Sequence, residues 1–225
     1  MPVAAVFDMD GLLLNTEHLY DVVIGGLLAE RGQEFDLTSK RAMMGRPAAD
    51  ALGYLKRRFE LDESIEGLAE RIEEGLFERL PTELMPLPGV IGILDEIERL
   101  GIPASVATSS RRLFAERALA EAGLAARFRF LICGDEIARG KPEPDIYLES
   151  ARRHAIAPEG MLVFEDSIAG ATAATRSGAA TVAVPGEHNE PHEYPECRII
   201  VRRIDDPRAV ALVTEWGRRF AERSA

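Results

Sequence analysis

Five apolar runs of four or five residues, each broken off by polar or small residues, constrain this chain more than any other feature: Val3–Phe7, Ala104–Ala107, Phe130–Cys133, Met161–Phe164 and Ala180–Val184. They lack the apolar–polar alternation of a strand with one wet face, so they read as strands buried on both sides. Longer helix-like segments separate most of them. That order is the one expected of a parallel sheet with helices over both faces.

The expected fold class is α/β: a Rossmann-like parallel sheet core flanked by helices, with an inserted helical-bundle cap domain. The insertion follows from spacing, because about ninety residues separate the first two runs where a connection usually takes about 2 to 6. Between Glu17 and Leu84 the apolar residues recur at three and four: Leu19, Val22, Val23, Leu27 and Leu28, then Ala51, Leu52 and Leu55, then Ile65, Leu68, Ile72 and Leu76. Gly11 to Asn15 on one side, and Pro81, Pro86, Pro88 and Gly89 on the other, punctuate it as hinges. The expected division is a core of 1–15 and 86–225 around a cap of 16–85. A helix restarts near Val90, and another follows Pro207.

Charge and cysteine content exclude several functions. The net charge is 27 − 38 = −11, which repels nucleic acid and anionic membrane surfaces. Cys133 and Cys197 are the only cysteines, too few for a disulfide framework, and no metal-binding Cys or His spacing occurs. The N-terminus has no basic stretch before Asp8 and does not read as a secretory signal. The weakly charged stretch Ile168 to Gly186 is broken by Arg176, Gly178 and Pro185, so it reads as helix and strand rather than a membrane span. The expectation is a cytoplasmic monomer or small homo-oligomer acting on a small molecule.

Polar residues collect after the apolar runs. Asp8-Met9-Asp10-Gly11 follows the first, Thr108-Ser109-Ser110 the second, and Glu165-Asp166-Ser167 the fourth, while Lys141 stands in Gly140-Lys141-Pro142-Glu143-Pro144-Asp145. Ligands of open α/β sheets bind at the carboxyl ends of strands. Each group alone has a bland reading, as an Asp-Gly turn, a helix cap or a surface charge. Together, in this order, they read as one site. Lys141 stands out further, since Lys40, Lys56 and Lys141 are the only lysines among 27 basic residues; a compact ammonium suits a phosphate or carboxylate.

These four motifs resemble those of the haloacid dehalogenase superfamily, in the branch of phosphohydrolases with a helical cap after the first motif. That branch includes β-phosphoglucomutase and the sugar-phosphate and pseudouridine monophosphate phosphatases. The resemblance spans essentially the whole chain. It implies that Asp8 attacks phosphorus to form an aspartyl phosphate, which water then cleaves, and that Asp10 is the acid and base. It further implies Asp8, the Asp10 carbonyl and Asp166 around a metal ion, with Glu165 beside them. Thr108, the amides near Met9 and Ser109, and Lys141 would hold the phosphoryl oxygens. Four carboxyl groups against one lysine call for a cation, and an oxygen-only donor set favours Mg²⁺ over Zn²⁺. Asp10 argues against true dehalogenases, which lack it.

The expected function is a Mg²⁺-dependent phosphatase of a small phosphorylated metabolite, either a sugar phosphate or a nucleoside-type monophosphate. A phosphomutase would use the same core, and a non-catalytic binding protein the same fold. Substrate choice should lie in the cap, where Arg46, in Met43-Met44-Gly45-Arg46-Pro47, either meets an anionic group or sugar hydroxyls or is a surface residue. Thr16 and His18 beyond the first hinge, and Arg111 after the serines, are further candidates. Cys133 reads as inert core, and His188, His192, Glu187 and Glu190 as a solvated loop.

Overall fold

A computed structural model describes residues 3–43, 48–186 and 189–221. Its sheet starts from β1 (Ala4–Phe7), four consecutive buried apolar residues. Such a run has no face suited to water, so it takes strand neighbours on both edges. These are β2 (Ala104–Ala107) and β4 (Met161–Glu165), both parallel to it. Outward lie β3 (Leu131–Ile132) beside β2, then β5 (Ala180–Ala183) and β6 (Ile199–Ile200) beyond β4. The fold is α/β, with a six-stranded parallel sheet ordered β3-β2-β1-β4-β5-β6.

That order fixes the site. Connections run outward in opposite directions from β1 and β4, so the carboxyl ends of these two strands flank the switch point where α/β sheets bind ligands. Their register pairs Phe7 with Phe164, whose rings stack at 4.8 Å and 8°. The next residues, Asp8 and Glu165, therefore leave the sheet side by side.

Strand alternation sends Val6 and Val163 to the face opposite these rings. There they join Ala107 and Ile132 under Ile146, Tyr147 and Ala151 of α7 (Asp145–His154) and Ala173 and Ala174 of α8 (Ile168–Ser177). Fully burying an aliphatic side chain contributes about 1.5–3 kcal/mol, so a few such contacts hold each helix to the sheet. The remaining helices of this unit are α5 (Val90–Arg99), α6 (Arg112–Glu121) and α9 (Pro207–Ala221). α9 packs on α5 at Gly217, where an added Cβ would lie 3.0 Å from the Leu100 side chain.

The chain divides into two compact units, Met1–Leu14 with Met85–Ala225, and Asn15–Leu84. The second is helical: α1 (Thr16–Ala29), α2 (Leu37–Met43), α3 (Ala48–Arg58) and α4 (Ile65–Glu83). α1 and α4 approach closely because Gly75 has no side chain; a Cβ there would meet Val23 at 2.9 Å. Ser64 caps α4 by accepting from the Gly67 amide at 3.0 Å.

Three local expectations are corrected. Pro81 marks no hinge but lies inside α4. It falls within the last turn, where buried Leu80 and the Asn15 Nδ2 donation to the Glu83 carbonyl (3.1 Å) hold the helix on to Glu83. Proline removes one helical hydrogen bond and strains the turn before it, a cost this packing offsets. The third strand is only Leu131–Ile132, because as an edge strand it has one partner. β6 is a further strand, its two residues too short for any periodicity to reveal.

Candidate active site

The loop after β1 is wound by its own backbone. The Asp8 amide donates to the Phe164 carbonyl at 3.0 Å, and the Leu13 and Leu14 amides both donate to the Met9 carbonyl. Gly11 turns the chain at φ 73°, a conformation that suits glycine, and its amide donates to the Leu14 carbonyl. Met9 is fully buried, fixing the two aspartates on either side of it.

Lys141 reaches this loop from 133 residues away. Its ammonium donates to Asp8 Oδ1 and Glu165 Oε1, both at 2.5 Å, and to the Ala107 carbonyl at 3.0 Å. Burial disfavours the charged lysine, but the Asp8 and Glu165 carboxylates prevail and hold its pKa well above the ordinary value. The Asp8 carboxyl moves the other way from a simple ion pair. Burial pushes it up to about 8; Lys141 opposes the rise, and Glu165 and Asp10 add to it. The Lys141 ammonium, shared with Glu165, does not offset burial at Asp8.

Glu165 is wholly buried, with both oxygens engaged. Oε1 also accepts from the Tyr147 hydroxyl at 2.5 Å, and Oε2 from the Ser167 hydroxyl at 3.1 Å. Tyr147 packs its ring toward Lys141, 5.3 Å from Nζ to the ring centre, within cation–π range. Burial and the Glu165 charge drive the Tyr147 pKa well upward, so it stays a donor.

The second aspartate has different partners. Asp10 Oδ2 accepts from the hydroxyls of Thr108 and Ser110, each at 2.8 Å, while the Ser110 amide donates to Thr108 Oγ1 at 3.0 Å. Asp10 Oδ1 is buried without a hydrogen-bond partner among the described residues. Asp166, also buried, has its backbone carbonyl held by Tyr194 Oη and, at 3.3 Å, by Asn189 Nδ2.

A metal ion fits this chemistry. Asp8, Glu165 and Asp166 are all buried and offer oxygens within 4.8 Å of one another. At that separation a pair of like charges repels by about 3.5 kcal/mol at an effective dielectric near 20. A hard cation removes that repulsion, and the donors are all oxygen. With Glu165 committed to Lys141, Tyr147 and Ser167, Asp8 and Asp166 are the better-placed ligands. The other group of metal-binding side chains, Cys133, Asp135 and Glu136, does not fit. Glu136 pairs with Arg112 and Arg153, and burial pushes the Cys133 thiol up to about 11.

The structure thus brings together Asp8, Asp10, Thr108, Lys141, Glu165 and Asp166. Ser109 lies in the Thr108–Ser110 loop with its side chain exposed, and Arg111 is exposed before α6. Thr16 opens α1 and His18 is exposed on it, both in the helical unit. Arg46 lies outside the described residues, as do Glu187 and His188. Tyr147 and Tyr194 are contributors that motif reading missed, and they carry no sequence signal beyond apolar spacing. Ser110 stands within a recognised motif, which assigned it no role in the site.

A family model for haloacid dehalogenase-like hydrolases matches residues 5–184. The chain belongs to that family, and it is a phosphoric monoester hydrolase. Phosphorylated carbohydrates phosphatase of Thermotoga maritima is 33% identical over 175 residues, covering 78% of this chain and 81% of its own length. (DL)-glycerol-3-phosphatase 2 of Arabidopsis thaliana is 35% identical over 223 residues, 94% of this chain and 90% of its own. The crystal structure of beta-phosphoglucomutase from Clostridium difficile covers 99% of this chain and 100% of its own with a TM-score of 0.79; at 19% identity this is a likeness of fold. No described helix is long and apolar enough to cross a membrane.

Proposed function

We propose that the protein is a Mg²⁺-dependent phosphatase of a small phosphorylated metabolite, a sugar or polyol phosphate or a nucleoside-type monophosphate. The observation that carries this reading is the arrangement at the switch point. A nucleophile-type carboxylate, Asp8, is held by Lys141, and a second carboxyl, Asp10, stands on hydroxyl donors two residues away. The relatives named above act on phosphorylated carbohydrates and glycerol 3-phosphate, which supports a small polyhydroxylated leaving group.

In the first step an Asp8 carboxylate oxygen forms a bond to phosphorus as the bond to the substrate oxygen breaks, and Asp10 gives its proton to the departing alkoxide. An alcohol, an aspartyl phosphate and an Asp10 carboxylate result. In the second, Asp10 takes a proton from water as the water oxygen bonds to phosphorus and the bond between phosphorus and the Asp8 carboxylate oxygen breaks. Inorganic phosphate leaves, and both side chains return to their starting forms. Thr108, the Ser109 amide and Lys141 hold the phosphoryl oxygens. Glu165 positions Lys141 rather than the substrate. Asp8, Asp166 and the Asp10 carbonyl would hold Mg²⁺, which would supply charge neutralisation for the phosphoryl group and the crowded carboxylates.

The test is phosphate release from a panel of sugar phosphates, polyol phosphates, nucleotides and phosphoglycolate, with Mg²⁺ or with chelator. Release by wild type, lost with chelator and with Asp8→Asn, is expected. Silence across the panel, with interconversion of a hexose 1-phosphate and 6-phosphate instead, would replace this reading with a phosphomutase.

A further inference from the structure

Resting on the acid–base role assigned to Asp10 above, we propose that Ser110 is the positioning residue for Asp10. It holds Oδ2 of the carboxyl while the Thr108 hydroxyl proton is handed to an incoming phosphoryl oxygen.

A hydroxyl carries one proton, so Thr108 donates to one acceptor at a time. Its oxygen already accepts from the Ser110 amide, and its proton lies on Asp10 Oδ2. A phosphoryl oxygen that claims Thr108 must take that proton away from Asp10. The Ser110 hydroxyl, 2.8 Å from the same Oδ2, then remains as the side-chain donor holding the carboxyl.

Two further observations suit Ser110 to this task. Its backbone is pinned, because the Gly134 amide donates to the Ser110 carbonyl at 2.9 Å. Gly134 itself sits so close that an added Cβ would lie 2.2 Å from the Ser109 carbonyl oxygen. A hydroxyl on so constrained a loop gives a fixed reference point. The second observation is the asymmetry of the carboxyl. Oδ2 receives two hydroxyl donors, whereas Oδ1 is buried and without a partner among the described residues. The oxygen that already accepts two protons is the poorer place for a third, so Oδ1 is the atom that carries the transferred proton. Ser110 thereby selects both the orientation of Asp10 and the oxygen that works.

A residue that only supported the loop would affect all substrates alike, whereas one that positions the acid matters most when the leaving group needs a proton. The experiment compares kcat/KM for 4-nitrophenyl phosphate, whose phenolate departs unprotonated, with that for the best alkyl phosphate in the panel above. General acid catalysis contributes roughly 10²–10⁴-fold. Ser110→Ala is therefore expected to lower kcat/KM on the alkyl phosphate by roughly 10- to 100-fold and on the aryl phosphate by less than about threefold, and Ser110→Thr to restore most of the difference. Asp10→Asn is measured beside it and should lose the alkyl activity. Equal losses on both substrates, or no loss with Ser110→Ala while Asp10→Asn is inactive, would overturn the role of Ser110 alone. A wild type with no alkyl phosphate turnover, or a fully active Asp10→Asn, would overturn the reading beneath it. Should Ser110→Ala lose its thermal transition, Ser110→Cys, a weak donor of similar size, makes the same comparison.

Discussion

Lys141, Glu165 and Tyr147 show how much a single side chain contributes when it is buried and charged. The Tyr147 hydroxyl is a donor to an ionised acceptor in a dry site, an interaction worth about 1.5–3 kcal/mol. Tyr147→Phe should lower stability by about that amount and reduce kcat with KM nearly unchanged, since the loss loosens Lys141 through Glu165. Chemical denaturation beside steady-state kinetics tests both. His154 offers a pH-dependent counterpart far from the site. Its Nε2 lies 2.9 Å from Ser105 Oγ, Nδ1 is buried without a partner among the described residues, and burial, aided by Arg129, lowers its pKa from 6.5 to about 4. In the unfolded chain the imidazole takes a proton below about pH 6.5 that the folded chain refuses until about pH 4. Stability from this group is therefore complete above pH 6.5 and falls as pH drops toward 4. Partial exposure reduces its worth to about 1–2 kcal/mol. Urea midpoints at pH 7 and pH 4.5 should fall further for wild type than for His154→Gln; parallel falls would refute it.

At the scale of the element, α8 illustrates how a helix can be shaped by one charge. Ser167 caps it by accepting from the Gly170 amide at 3.0 Å, and Gly170 leaves room for the Glu165 carboxylate. A Cβ on Gly170 would lie 1.9 Å from Glu165 Oε1. Gly→Ala within a helix ordinarily stabilises by about 1 kcal/mol. Here the sign should reverse: Gly170→Ala is expected to cost about 1–3 kcal/mol and to displace the partner of Lys141. Gly92→Ala, in α5 with nothing within 4 Å of its Cβ, should show the ordinary gain. Thermal melts of the two variants decide it. The same helix shows what was legible in advance. Its Ala-rich sequence predicts a helix beside a buried strand, whereas nothing in the spelling of Gly170 tells that a carboxylate occupies its place.

At the scale of the whole molecule, the strand order that turns outward from β1 and β4 crowds three buried carboxylates at the switch point. Asp8 and Glu165 share the one Lys141 ammonium, and Asp166 brings a third buried carboxylate within 4.8 Å of both. Removing one charge should relieve that repulsion, so in chelator Asp166→Asn is expected to be more stable than wild type. In Mg²⁺ the order should invert, because a ligand at 100 times its Kd adds about 2.7 kcal/mol to the protein that binds it. Melting both proteins in chelator and in Mg²⁺ tests the crossing; a variant less stable in both would count against the metal site.

The motifs and their order were legible without coordinates because parallel strands end in loops that collect on one side of a sheet, which any sequence of buried runs betrays. Asp8, Asp10, Thr108, Glu165 and Asp166 follow from that periodicity and from their residue types, and Lys141 from its motif and from the scarcity of lysine in the chain. The tertiary structure alone decided which of them touch. Lys141 divides itself between Asp8 and Glu165, Glu165 turns toward Tyr147, and Ser110 joins Thr108 on Asp10. These pairings span up to 133 residues, and hydrogen bonds form by distance and angle in space, to which local propensity and spacing along the chain give no access.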